Sequence, residues 1–157
     1  MASRTIILSM MIVHFAFKLK TKMSVGVLLI THDDIGSSLL ESLRKMLGGS
    51  LPLSVKVLPI RYENEPLAFC YHAQNLCQSL NDGHGVLVLS DFYGATPCNI
   101  ANSLIPNYRV RVVAGVNLPM LVKIMNEPEA DLDTMASRAL AGGCQGVLDV
   151  NLLNSEP

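Results

Sequence analysis

Short apolar, β-branched runs alternate along the chain with longer stretches in which apolar residues recur every three or four positions. The first pattern suits strands buried on both faces and the second suits amphipathic helices; their alternation predicts a parallel sheet covered by helices. Five strands are expected, at about 25–30, 54–60, 85–90, 109–114 and 146–150. The first and third are almost wholly apolar and belong at the centre, while Lys56, Arg109 and Arg111 mark the second and fourth as nearer an edge.

Between the strands, Ile35, Leu39, Leu43 and Met46 repeat at helical spacing and stop at Gly48-Gly49. Leu67, Tyr71 and Leu76 give the stripe of a second helix, starting near Glu65-Pro66 with Asn64 as its cap and ending near Asn81-Asp82-Gly83. A third helix opens at Thr96-Pro97 with Thr96 as N-cap, a fourth at Pro119, and a fifth runs from about Pro128 to Leu140 before Gly142-Gly143. The expected fold is a doubly wound α/β domain over residues 23–157, with a mostly parallel sheet of about five strands and helices on both faces.

Composition narrows the class. With 157 residues, 50% hydrophobic and 16% charged, the chain has the length and apolar content of one globular domain, and no short repeat recurs. A net charge of −1 lacks the basic excess of a nucleic-acid binder. That balance conceals an asymmetry, because residues 1–22 carry Arg4, Lys18, Lys20 and Lys22 and no acid, leaving eight bases against thirteen acids in the remainder. The apolar run from Thr5 to Phe17 is shorter than the about 20 residues that cross a bilayer, and no small-residue cleavage site follows it. Residues 1–22 are therefore expected to be an upstream extension outside the fold, with weak membrane association of an amphipathic helix as the competing reading.

The four cysteines form no C-x-x-C pair and lie at no zinc-ligand spacing from a histidine, so no metal is expected. Cys70 and Cys77, seven apart on a predicted helix, read as small buried apolar side chains, which fits a reducing cytoplasm.

Ligands of open α/β sheets bind beyond the carboxyl ends of the strands, where strand order reverses, which directs attention to the loops after the first and third strands. These hold Thr31-His32-Asp33-Asp34 and Asp91-Phe92-Tyr93-Gly94-Ala95-Thr96-Pro97-Cys98-Asn99. A neutral imidazole can attack phosphorus near pH 7, and a carboxylate on its other nitrogen would fix the tautomer and stabilise the cationic ring. His32 and Asp91 are the candidates for these roles, and Thr31 and Thr96 are the candidate phosphate-binding hydroxyls. His14, His72 and His84 have no comparable company. There is no G-x-x-x-x-G-K-[ST] loop, and Gly83-His84-Gly85 lacks a third glycine and precedes its strand, so no nucleotide cofactor is expected.

With these motifs in hand, the chain from about Met23 resembles the IIA component of the mannose-type bacterial sugar phosphotransferase system. The resemblance is carried by Leu29-Ile30-Thr31-His32, by Asp91 to Asn99, and by Val113-Ala114-Gly115-Val116-Asn117-Leu118-Pro119-Met120-Leu121. It implies that His32 takes a phosphoryl group from the phosphohistidine of the general phosphocarrier protein and passes it to a IIB component. It further implies that Asp91 lies beside the ring, that Thr96 lies near the phosphoryl group, and that the protein is a homodimer exchanging its last strand, here about 146–150. Contact with a membrane would come only through transporter partners. No IIB domain follows in the chain, so the acceptor is expected to be a separate protein.

The family often has glycine directly after the histidine, whereas here Asp33-Asp34 follow, adding negative charge that repels phosphate while suiting a helix start. Two other roles compatible with the resemblance are a regulator read through its phosphorylation state and a phosphodonor subunit for a dihydroxyacetone kinase. A receiver-like phospho-acceptor would use Asp33, Asp34 and Asp91 but needs a lysine after its last strand, and none follows 146–150.

Overall fold

Alternating faces of two central strands organise the core. The computed structural model describes residues 24–61 and 66–153; residues 1–22, and the expected cap Asn64 with Glu65, lie outside the described residues. In chain order the elements are β1 (Gly26–His32), α1 (Ile35–Met46), β2 (Val55–Ile60), α2 (Pro66–Leu80), β3 (Val86–Ser90), α3 (Thr96–Asn102), β4 (Val110–Ala114), α4 (Leu118–Met125), α5 (Leu132–Gln145) and α6 (Val150–Leu153). The strands pair in parallel in the order β2-β1-β3-β4, so β1 and β3 are central and the base-bearing β2 and β4 are at the edges.

Val27 and Leu29 of β1, with Leu87 and Leu89 of β3, pack against Leu40 and Leu43 of α1 and the inner sides of α4 and α5. The intervening residues Leu28, Ile30, Val86 and Val88 face α2 and α3. Burying one such side chain contributes roughly 1.5–3 kcal/mol, which is why these two strands fix the register of the sheet. No helix of the described residues is long and apolar enough to cross a membrane.

Several local expectations need correction. The buried stripe of α2 is Phe69, Ala73, Cys77 and Leu80, whereas Leu67 and Tyr71 are exposed; the two stripes share the same helical period but differ in phase. On α1 the buried side is Gly36, Leu40 and Leu43, with Ile35 and Met46 exposed. The last long helix starts at Leu132, capped by Asp131 accepting from the Thr134 amide, and continues through Gly142-Gly143 to Gln145. Those glycines serve close packing: a Cβ on Gly142 would stand 2.6 Å from the Lys123 Cβ of α4. The fifth strand expected at 146–150 is not formed. Residues 146–149 are a turn and irregular chain, and α6 begins at Val150, leaving a four-stranded sheet.

Candidate functional site

His32 is the last residue of β1, and Asp91 is the first residue beyond β3. From β1 the chain first moves to β2 on one side and then crosses to β3 on the other, so the loops after β1 and β3 part at the carboxyl edge and leave a crevice between them. The even-numbered residues of β1 face α2 and α3, and this alternation turns the His32 ring to that side of the sheet.

Asp91 is bound by three N–H groups. Its Oδ2 accepts from the His32 backbone amide at 2.8 Å and lies 2.8 Å from the ring Nδ1, while its Oδ1 accepts from the Phe92 amide at 2.9 Å. Burial works to raise the Asp91 pKa, but the hydrogen bonds from the His32 amide and ring, the attraction of the ring charge and the Phe92 amide outweigh it and hold the carboxyl below its ordinary value. An ionised Asp91 can only accept, so Nδ1 carries a proton, and in the neutral ring the lone pair is then on Nε2. The His32 side chain is 20% exposed and that of Asp91 10%, so the ring is reachable while its partner is mostly sheltered.

The two threonines fare differently. Thr96 is exposed and is the first residue of α3; the N-cap is Ala95, one residue before the expected cap, because Ala95 is still extended while its carbonyl already accepts the Asn99 amide at 3.0 Å. Pro97 is then the second helical residue, where an amide would also lack an intrahelical partner. Thr31 is fully buried, and its Oγ1 accepts the Gly36 amide at 2.9 Å, so its hydroxyl is used to tie β1 to the first turn of α1 rather than offered to the crevice. A Cβ on Gly36 would come within 2.8 Å of that same oxygen, which explains why a residue without one is needed there.

Asp33 adopts a left-handed conformation with φ 41° and donates its amide to the Ile60 carbonyl at 3.1 Å. Asp34 occupies the N-cap position of α1 without making a side-chain capping bond; its Oδ1 instead accepts from Arg61 at 3.0 Å. Sequence reasoning passed over Arg61, whose one signal was a base immediately after a strand that could pair with β1. The third resemblance motif acts in packing: Asn117 caps α4 through the Met120 amide at 2.9 Å, and its Nδ2 donates to the Gly143 carbonyl of α5 at 3.3 Å.

Other features carry no comparable chemistry. Cys70, Cys77, Cys98 and Cys144 are thiols, and burial pushes that of Cys77 upward, away from a reactive thiolate. Among the described residues no group of three or more His, Cys, Asp or Glu is placed to hold a metal ion. Two surface cavities, of about 450 Å³ beside Glu127 and Arg138 and about 340 Å³ between α4 and α5, lie away from His32. Neither brings together a nucleophile and an orienting carboxylate, so the chemistry points to the open rim instead.

Comparisons with known proteins show the family and the fold. Residues 26–140 match the EIIA-man family, described as PTS system fructose IIA component. A curated relative, the PTS system mannose-specific EIIAB component of Escherichia coli (strain K12), is 30% identical over 130 residues, 80% of this chain. The chain spans 39% of the length of that relative. Among solved structures, the mannose/sorbose specific IIA subunit of the phosphotransferase system from Enterococcus faecalis superposes with a TM-score of 0.72 at 26% identity, over 82% of this chain and 96% of that one. The PTS IIA protein associated with the fucose utilization operon from Streptococcus pneumoniae shares the fold, with a TM-score of 0.74 at 21% identity, over 85% of this chain and 98% of that one. The chain belongs to the EIIA-man family of IIA components of the sugar phosphotransferase system.

Proposed function

We propose that this protein is a histidine phosphocarrier that accepts a phosphoryl group on His32 Nε2 from the phosphohistidine of the general phosphocarrier protein and passes it to a IIB component during sugar uptake. The observation that carries this reading is the 2.8 Å contact between His32 Nδ1 and an Asp91 whose pKa is held low. The Nε2 lone pair attacks phosphorus as the phosphorus–nitrogen bond to the donor ring breaks, and the bonding electrons return to that ring. Phosphorylated at Nε2 and still protonated at Nδ1, the His32 ring carries positive charge, which the Asp91 carboxylate balances. The second transfer repeats the step toward the acceptor. Little covalent work falls to the protein beyond holding groups in line and stabilising charge, and the docked partner supplies the cover that keeps water out. The exposed Thr96 hydroxyl at the start of α3 is the phosphate-binding side chain of this reading.

The working unit is a domain of residues 23–157 in the cytoplasm, assembled as a homodimer. The exposed side chains of Val147, Leu148 and Val150, in a segment with strand-like composition but no strand, support an exchange onto the sheet of a second copy. The experiment is transfer of labelled phosphate from the phosphorylated general phosphocarrier to the wild-type chain and to His32→Ala. Label that is acid-labile, stable in base and lost in His32→Ala supports the proposal; label retained by His32→Ala overturns it.

A further inference from the structure

Among the described residues that follow the four strands, 33–34, 61, 91–95 and 115–117, there are three carboxylates, Asp33, Asp34 and Asp91, and one base, Arg61. A phosphoryl group on His32 would bring about two further negative charges to this edge. His32 is in register with Ile60, so Arg61 starts one residue beyond the histidine's neighbour on β2. Adjacent strands are about 4.8 Å apart, a gap that an extended arginine side chain can cross. The Arg61 guanidinium rests on Asp34 Oδ1 at 3.0 Å, with the two side chains 56% and 70% exposed. An exposed ion pair of this kind is weak, whereas a phosphoryl group offers a doubly charged acceptor that matches the guanidinium fork.

We infer that Arg61 binds the phosphoryl group carried by His32, parked on Asp34 while the ring is unloaded and exchanging that carboxylate for phosphoryl oxygens once it is loaded. The exchange makes and breaks no covalent bond; it brings a cation to an edge that Asp33, Asp34 and Asp91 make acidic. Asp34 is thereby a competitor that stations the arginine, which gives the acidic pair after the histidine a purpose. The inference rests on His32 being the phosphorylated residue.

The test uses the full chain, labelled by a catalytic amount of the phosphorylated general phosphocarrier, in wild-type form and as Arg61→Gln, Arg61→Lys and Asp34→Asn. Labelling rates are measured, and the phosphoryl group of each isolated labelled protein is titrated by phosphorus NMR. Arg61→Gln is expected to slow labelling roughly tenfold and to move the phosphoryl titration up by roughly one pH unit, because the cation favouring the dianion is gone. Arg61→Lys recovers part of both effects, and Asp34→Asn labels at least as fast as wild type. If Arg61→Gln and Asp34→Asn slow labelling equally, the pair is only a brace between α1 and β2 and the inference falls. An unchanged phosphoryl titration in Arg61→Gln overturns it too. If the wild-type chain takes no label on His32, the phosphocarrier reading itself has failed, an outcome the variants cannot mimic.

Discussion

One oxygen of Asp91 serves His32 twice, accepting from its backbone amide and lying at the same 2.8 Å from its ring Nδ1. The strand end and the imidazole are thus oriented by a single atom, and the Phe92 amide on the other oxygen prevents that carboxylate from turning.

Asp91→Asn can keep its oxygen toward the two His32 donors only by pointing its amide nitrogen at the Phe92 N–H, so the tautomer survives while the charge is lost. Phosphoryl transfer is expected to slow by roughly ten- to hundredfold, with the fold retained. Asp91→Ala removes the tautomer control as well and falls further. Rapid-quench labelling of the two variants at matched donor concentration checks the order.

The depressed Asp91 pKa makes a stability claim with a definite sign. The folded carboxyl binds its proton less readily than the unfolded one, so its contribution is present above the ordinary carboxylate range, near about 4, and is lost as pH falls through the lower folded value. Urea titrations should show a stability gap between wild type and Asp91→Asn that is present at about pH 5 and closes as the pH falls below that. A gap that stays open as the pH falls through the carboxylate range contradicts the assignment.

Thr31→Val keeps the shape of a fully buried side chain but leaves the Gly36 amide without its acceptor. Stability is expected to drop by about 1–3 kcal/mol in urea unfolding, while labelling of the folded protein changes only a few-fold. A large loss of labelling with unchanged stability would return Thr31 to the crevice as a phosphate ligand.

At Asp33, φ 41° is tolerated by aspartate and glycine but costs a β-branched residue about 1–2 kcal/mol. Asp33→Val is expected to lower the unfolding midpoint, and Asp33→Gly to leave it near wild type; thermal melts of both decide.

The homodimer reading is checked by sedimentation of Leu148→Asp. A charge on this exposed apolar side chain has little to disturb within one chain, but it should shift a strand-exchanged dimer toward monomer.

Much of this architecture was legible in the residues. The apolar runs of β1 and β3 placed both strands at the centre, and with them the two loops that meet at the switch point, so His32 and Asp91 could be paired before any geometry was known. Glycine misled at 142–143, where it permits close approach of α4 and α5 instead of ending a helix. At 146–150 strand-like composition met no neighbouring strand among the described residues, and pairing, not composition, makes a strand. Thr31 and Thr96 were equivalent as hydroxyls; only the side of β1 on which Thr31 falls buries it. Arg61 escaped notice because a base at the end of an edge strand reads as ordinary solvent-facing charge, and its contact with Asp34 spans a long separation in sequence.

The central claim is that Asp91 reserves Nδ1 for itself and leaves phosphoryl chemistry to Nε2. Nitrogen–phosphorus correlation NMR on the labelled, nitrogen-15-enriched protein reads the site of attachment directly. The account predicts phosphorus bonded to Nε2 of His32 with the proton retained on Nδ1; phosphorus on Nδ1, or on a carboxylate, would contradict it.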